Sequence, residues 1–235
     1  HLHSMEQYSG YELTADFCED SGIRIQSKGV SAHASTPEKG SNAIGRMLAF
    51  LSTMGLGNSE MEQFLLFLNN KIGVDTTGAG MNLDLKDEVS GALTLNLGTI
   101  LMDQAHGEAE IDIRYPVSYS QDQILDILQS AVKGTGIELE CCNAQAPLHV
   151  PEEGFLIETL KRVYTEQTGQ PAKVLSIGGG TYARAMKNAV AFGALFPGRP
   201  ELAHETDEHI FVDDLILHTK IYAHAIAALC CEDGH

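Results

Sequence analysis

The sequence predicts a mixed α/β protein built in two parts. Up to about residue 145 the hydropathy pattern runs strand, two helices, two strands, helix, strand. That order composes an α+β layer, an antiparallel sheet covered by helices. Pro147, Pro151 and the acidic pair Glu152-Glu153 then punctuate the chain. Beyond them strand and helix alternate, the pattern of a parallel α/β layer. The boundaries expected are 10–146 for the first part and 147–235 for the second.

Each element has its own signal. Gly22 to Gly29 alternates apolar and polar residues, as a half-buried strand does. The loop SAHASTPEKGS follows, and Asn42 to Met54 repeats Ile44, Leu48 and Leu51 at helical spacing. Glu60 to Ile72 is a second helix with a broad apolar face. Gly73 to Gly91 is a glycine-punctuated excursion. Ala92 to Met102 and Gly107 to Tyr115 are strands joined by Asp103-Gln104-Ala105-His106. Gln121 to Lys133 is an amphipathic helix and Ile137 to Cys142 a further strand. In the second part, Phe155 to Gln167 is a helix and Lys173 to Ile177 a short strand entering three glycines. A helix is expected from near Thr181, an apolar strand over Ala189 to Phe196, and a last helix over Asp213 to Leu229. Two parallel strands cannot cover both faces of a sheet. The second part therefore reads as a portion of a larger domain that leaves apolar surface exposed.

Composition narrows the function classes. Hydrophobic residues make up 43% and charged residues 20%, the profile of a globular protein that buries a core. No apolar stretch reaches the ~18 residues of a membrane span, and no signal peptide is expected ahead of the first strand. The opening His1-Leu2-His3-Ser4-Met5 is given no function. A net charge of −17 repels phosphate backbones, so neither nucleic acid nor membrane is expected as a partner. The five cysteines include two adjacent pairs and no CxxC, which points away from a structural zinc site. Reduced thiols in a cytoplasm fit that pattern.

Four clusters carry chemistry. His33 sits in AHASTPEKGSNA, where it can stabilise an oxyanion or merely bond a backbone carbonyl. Asn42 in the same loop can hold a carboxylate or cap the helix. Arg114, in DIRYP at a strand end, can grip a carboxylate bidentately or pair with Asp112. Gly178-Gly179-Gly180-Thr181 can offer backbone N–H groups to a small anion or simply form a tight turn. It has neither GxGxxG nor a phosphate-loop lysine, which excludes a nucleotide loop. His204-Glu205-Thr206-Asp207-Glu208-His209 is the densest run of metal-capable side chains, although it is not HExxH. It can equally be a solvated acidic loop.

Taken together and in order, AHASTPEKGSNA, DIRYP, GGGTYAR and FPGRPELAHETDEHI resemble the zinc dipeptidases of the PepV and carnosinase type, within metallopeptidase family M20. The resemblance runs over residues 20 to 232. It implies that residues 10–146 form a lid and dimerisation domain and residues 147–235 the C-terminal part of a catalytic domain. It also implies that His33 stabilises the tetrahedral intermediate, in dimeric relatives that of the partner. Asn42 and Arg114 match residues that hold the substrate's terminal carboxylate. Gly179, Gly180 and Thr181 match backbone lining the substrate pocket, and His204 matches the last zinc ligand.

The resemblance further implies two zinc ions in the complete enzyme, with the remaining ligands and a glutamate base on an N-terminal segment that these 235 residues do not contain. A catalytic zinc takes about three protein ligands, so this polypeptide is expected to be inactive alone. Its expected partners are a short peptide substrate and a second copy in a homodimer. Two other readings stay open: a non-catalytic dimerisation or binding module, and an aminoacylase or deacetylase on the same scaffold.

Overall fold

The computed structural model describes residues 13–18, 22–55, 57, 59–103, 105–193, 195–203 and 206–230. It is a mixed α/β structure with small antiparallel sheets. The chain divides into two compact units. The first comprises the described residues up to Pro147 together with Ser176–Gly179. The second comprises Leu148–Leu175 and the described residues from Gly180 onward.

The first unit opens with an antiparallel pair, β1 (Leu13–Phe17) and β2 (Ile23–Ser27), in register from Leu13 opposite Ser27 to Phe17 opposite Ile23. β2 is the strand expected over Gly22–Gly29; β1, whose LTADF alternates apolar and polar residues as β2 does, is an additional strand. Helix α1 (Ala43–Leu51) starts at the Asn42 cap, and α2 (Glu60–Lys71) starts where the Ser59 hydroxyl accepts from Glu62 N–H. A two-residue hairpin, β3 (Lys86–Asp87) and β4 (Gly91–Ala92), precedes the main pair, β5 (Thr94–Met102) and β6 (Gly107–Arg114). The turn between β5 and β6 is fixed by the Asp103 carboxylate, which accepts from the backbone N–H groups of Ala105 (2.7 Å) and His106 (2.9 Å).

The β5–β6 ladder slips by one residue between Leu97 and Thr99, which makes Gly98 a bulge. The slip matters because a strand's side chains alternate faces. Leu95 and Leu97 lie in the core before it, and Ile100 and Met102 pack against the same core after it, while Leu101 is 69% exposed. Were Gly98 paired in an unbroken ladder, Ile100 and Met102 would turn to water and Thr99 and Leu101 to the core. Helix α3 (Gln121–Val132) begins with a capping box. Ser120 Oγ accepts from Gln123 N–H, and Gln123 Oε1 accepts from Ser120 N–H. The core joins Leu48 of α1, Leu65, Leu68 and Ile72, Met81, Leu83, Leu93, Leu95, Leu97, and Ile124 and Leu128 of α3. Burial of each such side chain contributes about 1.5–3 kcal/mol, which exceeds what any one ladder bond adds.

The strand expected over Ile137–Cys142 does not form. Among the described residues no strand pairs with this segment, and alternation alone cannot satisfy backbone donors and acceptors. Leu139 still packs on the core.

In the second unit, α4 (Phe155–Thr168) and α5 (Val212–Cys230) pack together through Leu160, Val163, Ile221, Ala225 and Ala228. The strands expected over Lys173–Ile177 and Ala189–Phe196 are absent from the described residues for the same lack of a pairing partner. Val190, Phe192 and Phe196 nevertheless line the helix pair. Near Thr181 the expected helix is a single 3₁₀ turn, Tyr182–Ala185. Arg199 makes a two-armed ion pair with Asp214, both bonds 2.7 Å, and lies 4.2 Å over the Phe211 ring. The Asp214 carboxylate pushes the Arg199 pKa above its usual value by accepting from the guanidinium. The other side of α5 bears Leu215, Ile216, Tyr222 and Ile226, all exposed.

One carboxylate ties two turns of the first unit together. Asp87 accepts from Ser90 N–H (2.5 Å) and Ser90 Oγ (2.9 Å), and from Ser118 N–H (3.1 Å) and Ser118 Oγ (2.8 Å). These donors, the Ser90 backbone N–H first, hold Asp87 well below the ordinary carboxylate range of about 4. A depressed folded value stabilises the fold at pH above the ordinary range, and that share disappears as pH falls below it. Asp87→Asn should therefore lower Tm at pH 7 and flatten the fall of Tm between about pH 5 and pH 2. Parallel Tm–pH curves for variant and parent would show that Asp87 does not carry this share.

Candidate active site

The site is built on a closed loop. Val30 and Ser41 exchange backbone hydrogen bonds of 3.0 and 2.8 Å, which pins both ends of residues 31–40. Gly29 and Gly40 permit that closure. A Cβ on Gly29 would lie 2.3 Å from the Ser41 carbonyl oxygen, and one on Gly40 would lie 2.6 Å from that of Val30. Inside the loop, Thr36 N–H donates to the His33 carbonyl at 2.9 Å, and Pro37–Lys39 forms a 3₁₀ turn.

Asn42 ends the loop and engages both ends of its amide. Oδ1 accepts from Ile44 N–H (2.9 Å) and Gly45 N–H (3.1 Å), capping α1. Nδ2 donates to the Leu97 carbonyl (2.8 Å) and to Asn96 Oδ1 (3.3 Å), which fastens the loop to β5. His33 is exposed, and its ring is held by Ser35: Nδ1 lies 2.7 Å from Ser35 Oγ and 3.1 Å from the Ser35 backbone nitrogen.

Arg114, at the end of β6, chelates Asp112 through Nε and Nη2, both at 3.1 Å. Its Nη1 donates to the Gly178 carbonyl. A guanidinium has five N–H donors, and these bonds use three of them. Gly178 also presses on the loop, since a Cβ there would lie 2.3 Å from Ser35 Cβ. A Cβ on Gly179 would lie 3.9 Å from His33 Cε1.

The first unit thus brings together His33, Arg114 and the Gly178-Gly179 segment, three of the four clusters singled out in the sequence. Gly180 and Thr181 fall in the second unit, where the Thr181 carbonyl accepts from Arg184 N–H at 3.2 Å. The turn after them is too short to give the helix N-terminus that an anion site of that kind requires. His204 lies outside the described residues. Among the described residues no three His, Cys, Asp or Glu side chains gather as a metal site. The described residues alone therefore do not fit a catalytic zinc. No described helix is long and apolar enough to cross a membrane.

The sequence marks Gly178 only as part of a glycine run that can bind an anion or form a turn, and it gives Ser35 no role. The signal for Ser35 was the His-x-Ser spacing, since a hydroxyl two residues away can bond back locally. The contact of Gly178 with Ser35 and Arg114 has no local signal, because its partners lie far away in sequence.

Residues 14–228 match the model of peptidase family M20/M25/M40. The chain belongs to this family. It is 41% identical over 212 residues to the "Putative dipeptidase YtjP" of Bacillus subtilis (strain 168), an overlap covering 90% of this chain and 45% of that protein. A like-named protein of Staphylococcus epidermidis is 34% identical over 224 residues, covering 94% of this chain and 48% of that protein. One from Staphylococcus haemolyticus is 32% identical over 232 residues, covering 98% and 49%. The chain thus spans about half the length of the curated relatives it matches.

Asn42→Ala should destabilise the first unit by about 1–2 kcal/mol in urea denaturation, because it removes the cap and the tie to β5. Asn42→Asp keeps the capping oxygens but not the Nδ2 donor, and it should recover part of the loss. Equal losses for both substitutions would mean that capping adds nothing to stability here.

Proposed function

We propose that this chain is the substrate-gripping part of a zinc-dependent dipeptidase that hydrolyses short peptides ending in a free carboxylate. The observation that supports the reading is that Arg114 and the His33 loop meet on the same glycine segment, through Gly178 and Ser35. A cation and a hydrogen-bond donor are thereby held by one backbone stretch. This suits a small molecule that carries an anionic end and a polarised carbonyl.

In this reading residues 10–146 form the lid and dimerisation domain, and residues 147–235 the C-terminal part of the catalytic domain. Arg114 binds the terminal carboxylate with the N–H groups that Asp112 and Gly178 do not use. Asn42 adds a second contact by exchanging its longer bond, the one to Asn96. His33 donates to the oxygen on which charge develops as the peptide carbonyl is attacked. Gly179, Gly180 and Thr181 line the pocket with backbone. His204 supplies one zinc ligand, and the others, with the glutamate base, come from the part of the relatives' length that this chain does not span. Zinc when bound supplies Lewis acidity and an activated water. The 235 residues alone are proposed to be inactive, because one imidazole cannot hold a catalytic zinc. A homodimer would allow His33 to serve the partner's site. The cysteine pattern supports a cytoplasmic location.

Arg114→Ala, in the protein completed to the relatives' full length, tests the grip. The lost charge-assisted contact should raise KM for a free-carboxylate dipeptide about ten- to a hundredfold and leave its C-terminal amide nearly unchanged. An equal effect on acid and amide would remove Arg114 from that role. Turnover of N-acyl amino acids in place of dipeptides would move the assignment to an aminoacylase.

A further inference from the structure

Ser35 faces one nitrogen of the His33 ring with two groups at once. Its backbone N–H points at Nδ1 from 3.1 Å, and its hydroxyl stands 2.7 Å from the same atom. A backbone N–H can only donate. Nδ1 must therefore offer a lone pair, and the proton of the neutral ring must sit on Nε2. The hydroxyl can then donate to Nδ1 as well.

Ser35 is itself held. It is half-buried, its carbonyl neighbourhood is fixed by the bond from Thr36 N–H to the His33 carbonyl, and Gly178 packs directly on its Cβ. We infer that Ser35 is a positioning residue that fixes His33 in the Nε2–H tautomer and so presents a neutral hydrogen-bond donor on the far edge of the ring. The tautomer stands on the loop geometry alone. Its catalytic consequence rests on the oxyanion role proposed for His33: a ring protonated on Nε2 can donate there, whereas one with its proton on Nδ1 turns a lone pair toward the developing negative charge. Ser35 acts on the reaction only through His33.

The test is ring ¹⁵N–¹H correlation spectroscopy on the labelled 235-residue chain, at a pH where histidine is neutral. His33→Gln identifies the ring signals, and backbone amide spectra check that each variant is folded. In the parent protein Nδ1 should resonate as a hydrogen-bonded, unprotonated nitrogen and Nε2 as a protonated one. Ser35→Ala should move both shifts toward those of a free imidazole, and Ser35→Thr should restore them. Gly178→Ala, which leaves His33 and Ser35 chemically intact but crowds Ser35, should move them in the same direction as Ser35→Ala. A parent ring with its proton on Nδ1, or shifts that Ser35→Ala leaves unchanged, would overturn the inference. This readout needs no peptidase activity, so its failure is separable from that of the proposed function. In the completed enzyme, Ser35→Ala should lower kcat by about tenfold, with KM for the free-carboxylate dipeptide held and activity rescued by Ser35→Thr. A change confined to KM would overturn the catalytic consequence.

Discussion

The first unit depends on one amide. Asn42 follows the closed histidine loop, caps α1 and bonds the backbone of β5, all through a single side chain. The closed loop then gives His33 a fixed base, because the Val30–Ser41 bridge and the Asn42 contacts leave residues 31–40 no common direction in which to swing. Glycines at positions 29 and 40 make the closure sterically possible. The β5–β6 pair supplies both the surface on which the loop rests and, at the end of β6, Arg114. The Gly98 bulge contributes indirectly by keeping both halves of β5 on the core. Local constraints of different kinds thus position one cluster of polar groups.

Much of this was legible in the sequence. Helical spacing in α1, α2 and α3 and alternation in β2, β5 and β6 gave those elements within a few residues; all of them except β2 bury one face on the same core. The Asp103 turn was readable from its chemistry. The segments over Ile137–Cys142, Lys173–Ile177 and Ala189–Phe196 have the sequence pattern of strands and form none, for one reason. Alternation and apolar runs report burial, but a strand also needs a neighbour to bond, and sequence pattern does not reveal whether a neighbour exists. Phe192 and Phe196 illustrate the point, since they are apolar because they pack on α4 and α5 rather than because they form a ladder.

The site was legible in its parts but not in its assembly. Asn42 and Arg114 each had two readings, and the geometry realises the bland one in both cases: Asn42 caps and Arg114 pairs with Asp112. The guanidinium keeps donors beyond the Asp112 chelate, whereas the Asn42 amide is engaged at both ends and has only its longer bond, the one to Asn96, to exchange. The meeting of Arg114, Ser35 and Gly178 spans positions 35 to 178, and no local pattern encodes such a contact. The second unit presents the complementary case. Arg199 and Asp214 anchor the Pro197–Pro200 turn to α5, while Leu215, Ile216 and Ile226 stay exposed among the described residues. Such surface suits a chain that spans about half the length of its relatives.

The central claim is that Arg114 and the His33 loop form one peptide-binding site around the Gly178 segment. The most direct measurement is a crystal structure of the protein completed to the relatives' length, bound to a phosphinic dipeptide analogue. The account predicts the analogue's terminal carboxylate on the Arg114 guanidinium and a phosphinyl oxygen within hydrogen-bond distance of His33 Nε2, from the same or the partner copy. A carboxylate bound elsewhere, with Arg114 still engaged only by Asp112 and Gly178, would contradict it.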